Sequence, residues 1–257
     1  MLTPLFKSHF SIGKSILTLD SPDESRDPNS PNSVFDLVSD LDQVVLIADS
    51  FMGFLQALKV CKEMSKQLIF GISLDFCQDL GSIEDLKKPG TTHKLIVFPK
   101  NSDGCKLLNS IYTKSKTELE GLLDINTLSS MWSEENLSLA VPFYDSFIFK
   151  NTMGFNSFLV ETSFTTPTFF IEDNGLPFDL LIKNAVNNYC TSKNHPTQYS
   201  KSIYYKDKSD FSAYLAYKLI CSRSSFAGRG SSLEKPNMDH LGSDQFCWES
   251  YLEKCDT

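Results

Sequence analysis

Few side chains in this chain could hold a metal ion or move a proton. There are four histidines, and several aspartates stand next to apolar runs. If His9, Asp49, His93, Asp145 and Asp173 converged on manganese or zinc, they could generate hydroxide and hydrolyse a phosphate ester. Each also has a plainer reading. Asp49 closes the run Val44–Ala48 just before a helical pattern, where an aspartate caps a helix and suits the positive end of its dipole. His9 reads as a polar strand residue. His195 in CTSKNHPTQ and His240 in PNMDH read as surface histidines. Gly71 and Gly104 belong to no P-loop pattern. Ser224, Ser225, Ser231 and Ser232 lack a G-x-S-x-G setting. The pairs Phe169-Phe170 and Tyr204-Tyr205 could stack bases, but they lie on apolar runs and are read as core. Seven cysteines without a CxxC pair give neither a zinc clip nor a disulfide framework.

These residues need strands and helices to position them. Strands are predicted at Thr3–Phe10, Val44–Ala48, Leu68–Phe76, Lys94–Phe98, Leu137–Val141, Thr168–Ile171 and Lys201–Tyr205. Helical spacing or composition marks Val34–Leu41, Phe51–Lys66, Asp103–Ser115, Thr127–Trp132, Asp145–Met153, Phe178–Tyr189, Lys208–Cys221 and Glu249–Lys254. The Pro-, Ser- and Asp-rich stretch 20–33 is predicted to be an exposed loop. Strands alternating with helices imply βαβ units with parallel pairing. About seven such units without a G-x-G-x-x-G loop favour a barrel, with a doubly wound sheet as the alternative.

Composition sets the outer limits. A length of 257 residues suits a single α/β barrel. With 41% hydrophobic and 22% charged residues a core can form without cross-links. Twenty Phe and nine Tyr predict that it is rich in aromatic rings. A net charge of -8 with no basic run argues against strong independent nucleic-acid binding and leaves protein partners open. No apolar run approaches membrane-spanning length, and MLTPLFKSHF has no signal character, so a reduced cytoplasmic protein with no membrane partner is expected.

Several segments, in order, resemble the PHP (polymerase and histidinol phosphatase) family, closest to the N-terminal domain of bacterial DNA polymerase III alpha subunits. Ser8-His9-Phe10-Ser11 is similar to the S-x-Y-S that follows the family's H-x-H. Ala48-Asp49-Ser50 stands where the family has T-D-H. Leu68–Leu74 is similar to kPIIGxE, and Leu95–Leu108 (LIVFPKNSDGCKLL) to LVLLAKNEEGYKNL. Ser200–Tyr205 resembles TNDVHY. The resemblance implies a distorted (β/α)7 barrel over 1–221, with 222–257 as a C-terminal extension packed on it or trailing from it. In active relatives such a barrel holds up to three metal ions and acts as a phosphoesterase or 3′→5′ exonuclease. In others it has lost its ligands and supports the polymerase.

Position by position, the ligands are missing. The H-x-H histidines fall on Leu5 and Lys7, and the next ligand falls near Lys14. The T-D-H histidine falls on Ser50, the G-x-E glutamate on Ser73, and the histidine before the fourth strand on Lys94, one residue from His93. The Asp and His of D-x-H fall on Ser202 and Tyr204. Asp145 is a loose candidate for the ligand after the fifth strand. Leucine has no lone pair, lysine repels a divalent ion, and hydroxyls are poor substitutes for carboxylates. The expectation is a degenerate site with no cofactor, in a protein that binds a partner in the replication machinery. It would work in the cytoplasm of a bacterium, or of the host if it is phage-encoded. The alternative is a manganese- or zinc-dependent phosphoesterase or exonuclease with an altered site.

Overall fold

Apolar runs buried on both faces become strands because branched and aromatic side chains fill a pleated, covered surface. In the computed structural model, which describes residues 2–22, 27, 30–78, 80, 92–154, 157–222 and 242–255, they are β1 Thr3–Phe6, β2 Gln43–Ala48, β3 Gln67–Cys77, β4 Thr92–Pro99, β5 Leu122–Leu123, β6 Leu137–Val141, β7 Thr168–Ile171 and β8 Thr197–Ile203. The helices are α1 Val34–Leu37, α2 Phe54–Glu63, α3 Ser102–Glu118, α4 Ile125–Ser130, α5 Phe147–Met153, α6 Asp179–Lys193, α7 Phe211–Ser222 and α8 Trp248–Cys255, with a 3-10 turn at Lys208–Asp210 before α7.

Strand order is β2-β1-β8-β7-β6-β4-β3-β5, and β2 also pairs with β3. Seven strands thus form a closed ring of pairings, a barrel-type mixed α/β fold, with β5 appended to β3. The all-parallel expectation needs correction. β1–β2, β1–β8, β7–β8, β6–β7 and β3–β5 are parallel. β4 is antiparallel to both β3 and β6. The reason is legible afterwards: parallel neighbours need a crossover element, and no helical pattern separates the β3 and β4 runs.

Other boundaries move for local reasons. β1 stops at Phe6 because the chain turns through Ser8–Lys14, where the Ser11 N–H donates to the Ser8 carbonyl at 2.9 Å. α2 starts at Phe54 because Gly53 adopts a left-handed φ of 82° at its N-cap. α5 starts at Phe147, after Asp145 at φ 60° and a cap in which Ser146 Oγ accepts from the Phe149 N–H. β8 begins earlier than predicted and leaves Tyr204 and Tyr205 beyond its end. The described part of the 20–33 stretch is exposed at Asp20–Pro22, Asp27 and Pro31. Its end is fixed at Ser33, which bonds the Asp20 carbonyl at 2.6 Å and caps α1 through a capping box with Asp36.

The chain divides into two compact units, 1–70 with 173–177 and 200–257, and 71–172 with 178–199. Both have the expected aromatic core. In the first, Tyr204 stacks on Phe246 at 5.3 Å, Tyr205 lies 5.2 Å from Tyr214, and Trp248 of α8 lies 5.6 Å from Phe6. In the second, Phe147 and Phe169 pack against Tyr189 at 5.4 and 5.5 Å. Phe169, Phe170, Tyr204 and Tyr205 are all buried, so they are core as read and offer no stacking platform. Among the described residues no helix is long and apolar enough to cross a membrane.

Candidate functional site

In the first unit the strand-end positions are tied to one another. Leu5 is buried on β1, in register with Ser202 of β8, itself buried. One residue past β1, the Lys7 ammonium lies 3.6 Å from the Asp49 carboxylate. Asp49 directly follows β2, and its N–H donates to Ser11 Oγ at 3.2 Å. It does not cap α2, as the sequence suggested; Gly53 holds that position without a side-chain cap. Ser50 Oγ accepts from the Met52 N–H at 3.2 Å, a purely local turn bond. The Lys14 N–H donates to the Ser11 carbonyl at 2.9 Å. His9 is a turn residue and not a strand residue, its ring against Phe10 at 4.2 Å and its N–H bonded to the Leu17 carbonyl at 2.8 Å. The Tyr204 ring is held between Phe246 and Tyr214. Lys254 lies 3.1 Å from the Asp173 carboxylate. Burial alone would raise the Asp173 carboxyl, but the Lys254 bond, the Gly175 N–H and the Lys201 charge together hold it below the usual range.

In the second unit the antiparallel register of β3 and β4 sets Asp75 opposite Lys94. The Lys94 ammonium meets the Asp75 carboxylate at 2.8 Å, and the Lys94 backbone N–H donates to the Asp145 carbonyl at 2.8 Å. The Asp145 carboxylate lies 3.8 Å from Lys150. Ser73 is buried on β3. His93, next to Lys94 in sequence, points to the opposite face of β4, as strand alternation requires. It is 2% exposed, with Phe76, Phe147 and Phe158 rings at 5.9, 5.8 and 5.1 Å. Burial pushes its pKa down to about 4, although the Lys94 backbone and the Asp75 charge pull the other way. His195 is not the surface residue expected. It is half-buried and stacks on Phe169 at 5.5 Å, and burial followed by the Lys193 charge lowers its pKa. His240 and the four tail serines lie outside the described residues.

A divalent ion does not fit these residues. Asp49, Asp75, Asp145 and Asp173 each have a lysine ammonium at 3.8 Å or closer within their own unit. An ion entering beside any of them would have to displace that lysine or sit against its charge. Among the described residues no group of three or more His, Cys, Asp or Glu that could hold a metal is present.

Sequence reading missed two participants. Asp75 is the partner of Lys94, and its signal was a lone carboxylate inside LIFGISLDF. Lys201 is fully buried on β8 with its Nζ 3.4 Å from the Asp173 carbonyl; its signal was a lysine inside a strand run. Because the Lys94–Asp75 pair is partly open to solvent, Lys94→Met is expected to cost no more than about 1 kcal/mol in urea unfolding. A larger loss would mean that the pair supports the strand register.

No family model matches the chain, and no curated protein matches its sequence.

Proposed function

We propose that this chain is a PHP-like barrel, akin to the N-terminal domain of DNA polymerase III alpha subunits, that serves as a non-catalytic interaction module for a protein of the replication machinery in a bacterial or phage-infected cell. A barrel-type ring of strands and five segments in family order support the reading. The observation that carries it is the pairing of aspartates with lysines, two of which, Lys7 and Lys94, stand at positions where the family places histidine ligands. A site built this way keeps its carboxylates neutralised and offers no open position for activating water. A net charge of -8 leaves protein, not DNA, as the favoured partner.

The test is metal analysis of the full chain after exposure to manganese and zinc, together with hydrolysis assays on a nitrophenyl phosphate and a labelled oligonucleotide. Substoichiometric metal and no turnover are expected, with co-purification of a replication polymerase or exonuclease from native cells. Stoichiometric metal with turnover would replace this reading with that of an altered phosphoesterase.

A further inference from the structure

Between α5 and β7 the stretch Phe158–Glu161 belongs to no strand, yet side chains bond its backbone much as a strand neighbour would. Asn151 Nδ2 donates to the Phe158 carbonyl at 3.0 Å, and Asn151 Oδ1 accepts the Phe158 N–H at 2.8 Å. Gln78 does the same for Leu159, at 3.2 and 3.0 Å. The Tyr189 hydroxyl donates to the Val160 carbonyl at 3.4 Å. Two primary amides thus each close a pair of bonds with the main chain, and the stretch is fixed as a wall.

That wall, α5 and α6 line a half-open cavity of about 380 Å³ within the second unit, in the size range of small-ligand sites. Phe147 and Phe158, both almost wholly buried, line it together with Tyr189 and Ala185 of α6. Phe147 and Phe158 are themselves held from behind by the buried His93. Two charged residues of opposite sign, Glu161 and Lys193, also line it. Both are exposed, and neither has a hydrogen bond or ion pair among the described residues. This differs from the aspartates described above, each already held by a lysine. Aromatic walls favour a planar ring, and a solvent-exposed cation and anion on the same cavity favour a ligand carrying both opposite charges.

We propose that this cavity binds a small aromatic zwitterion of the free aromatic amino acid class, with its ring against Phe147, Phe158 and Tyr189, its ammonium toward Glu161 and its carboxylate toward Lys193. The probes are L-phenylalanine and L-tryptophan, titrated into the full chain by calorimetry and by saturation-transfer NMR. Saturable binding is expected, weakened on the order of tenfold by Glu161→Gln and by Lys193→Met, each of which removes one charge-assisted bond at an exposed position. Ala185→Phe, which fills the cavity from a helix, should abolish binding in a chain whose circular dichroism is unchanged. Phenylpropionate and phenethylamine, each lacking one charge, should bind about tenfold more weakly than phenylalanine. No saturable binding into the millimolar range, equal binding of the singly charged analogues, or indifference to both charge variants would each overturn the assignment. The two charge variants carry the test even if Ala185→Phe does not fold.

Discussion

Lowering the pH from 7 to 4 should cost the folded chain on the order of 3 kcal/mol through His93 alone. The imidazole is enclosed by Phe76, Phe147 and Phe158, and burial holds its pKa down to about 4 from the ordinary 6.5. The sign follows from which state takes the proton first. At pH 7 the ring is neutral in both states, and the native advantage is complete. As the pH falls through 6.5 the unfolded chain protonates while the folded chain does not, and stability drains away. Below about 4 both states carry the proton and the loss stops. Carboxylates titrate near the lower end of this window, so the measurement is a comparison. Urea unfolding of the wild type and of His93→Phe at several pH values should show the excess pH slope only in the wild type. Parallel slopes would mean that the imidazole is hydrated and the aromatic cage is open.

Gly104→Ala is expected to destabilise the chain by about 2–3 kcal/mol, the upper range for forced overpacking. A Cβ at Gly104 would run into the Asn136 carbonyl oxygen and lie 3.2 Å from the Pro99 Cα. Both are backbone atoms, and neither can rotate away. The Asn136 oxygen also accepts the Lys100 N–H at 2.8 Å, so moving it breaks a second contact. The glycine sits in the first turn of α3, where its N–H is held at 2.8 Å by Asn101 Oδ1. Thermal or urea unfolding checks the effect, with Lys106→Ala on the exposed side of the same helix as a control expected within about 0.5 kcal/mol of wild type. If the two variants behave alike, the α3 entry is looser than its packing implies.

Gly104 also marks the limit of what could be read in advance. Its place outside a P-loop pattern was visible, but the close approach of residue 136 was not, since it depends on tertiary packing. The strands Leu137–Val141 and Thr168–Ile171 fell where the apolar runs placed them, because burial on both faces leaves a continuous hydrophobic signature. The direction of β4 was not visible in composition, and with it went the Lys94–Asp75 pair, which exists only in the antiparallel register. Asp49 looked like a cap because it precedes a helix; a left-handed glycine four residues later moved the helix start beyond its reach. Glu161 and Lys193, without a hydrogen bond or ion pair among the described residues, gave no sequence signal at all. One wall of their shared cavity is held by hydrogen bonds between the side-chain amides of Asn151 and Gln78 and a stretch with no strand pattern.

The aspartate–lysine pairs have a physiological corollary. A metal-dependent phosphoesterase borrows its counter-charges from the medium, so its site follows the supply of divalent ions and suffers under chelation. Here Asp49, Asp75, Asp145 and Asp173 instead face lysine side chains of the same chain, so their counter-ions come with it from synthesis. Those four carboxylates therefore keep a counter-charge whether or not divalent ions are present in the medium.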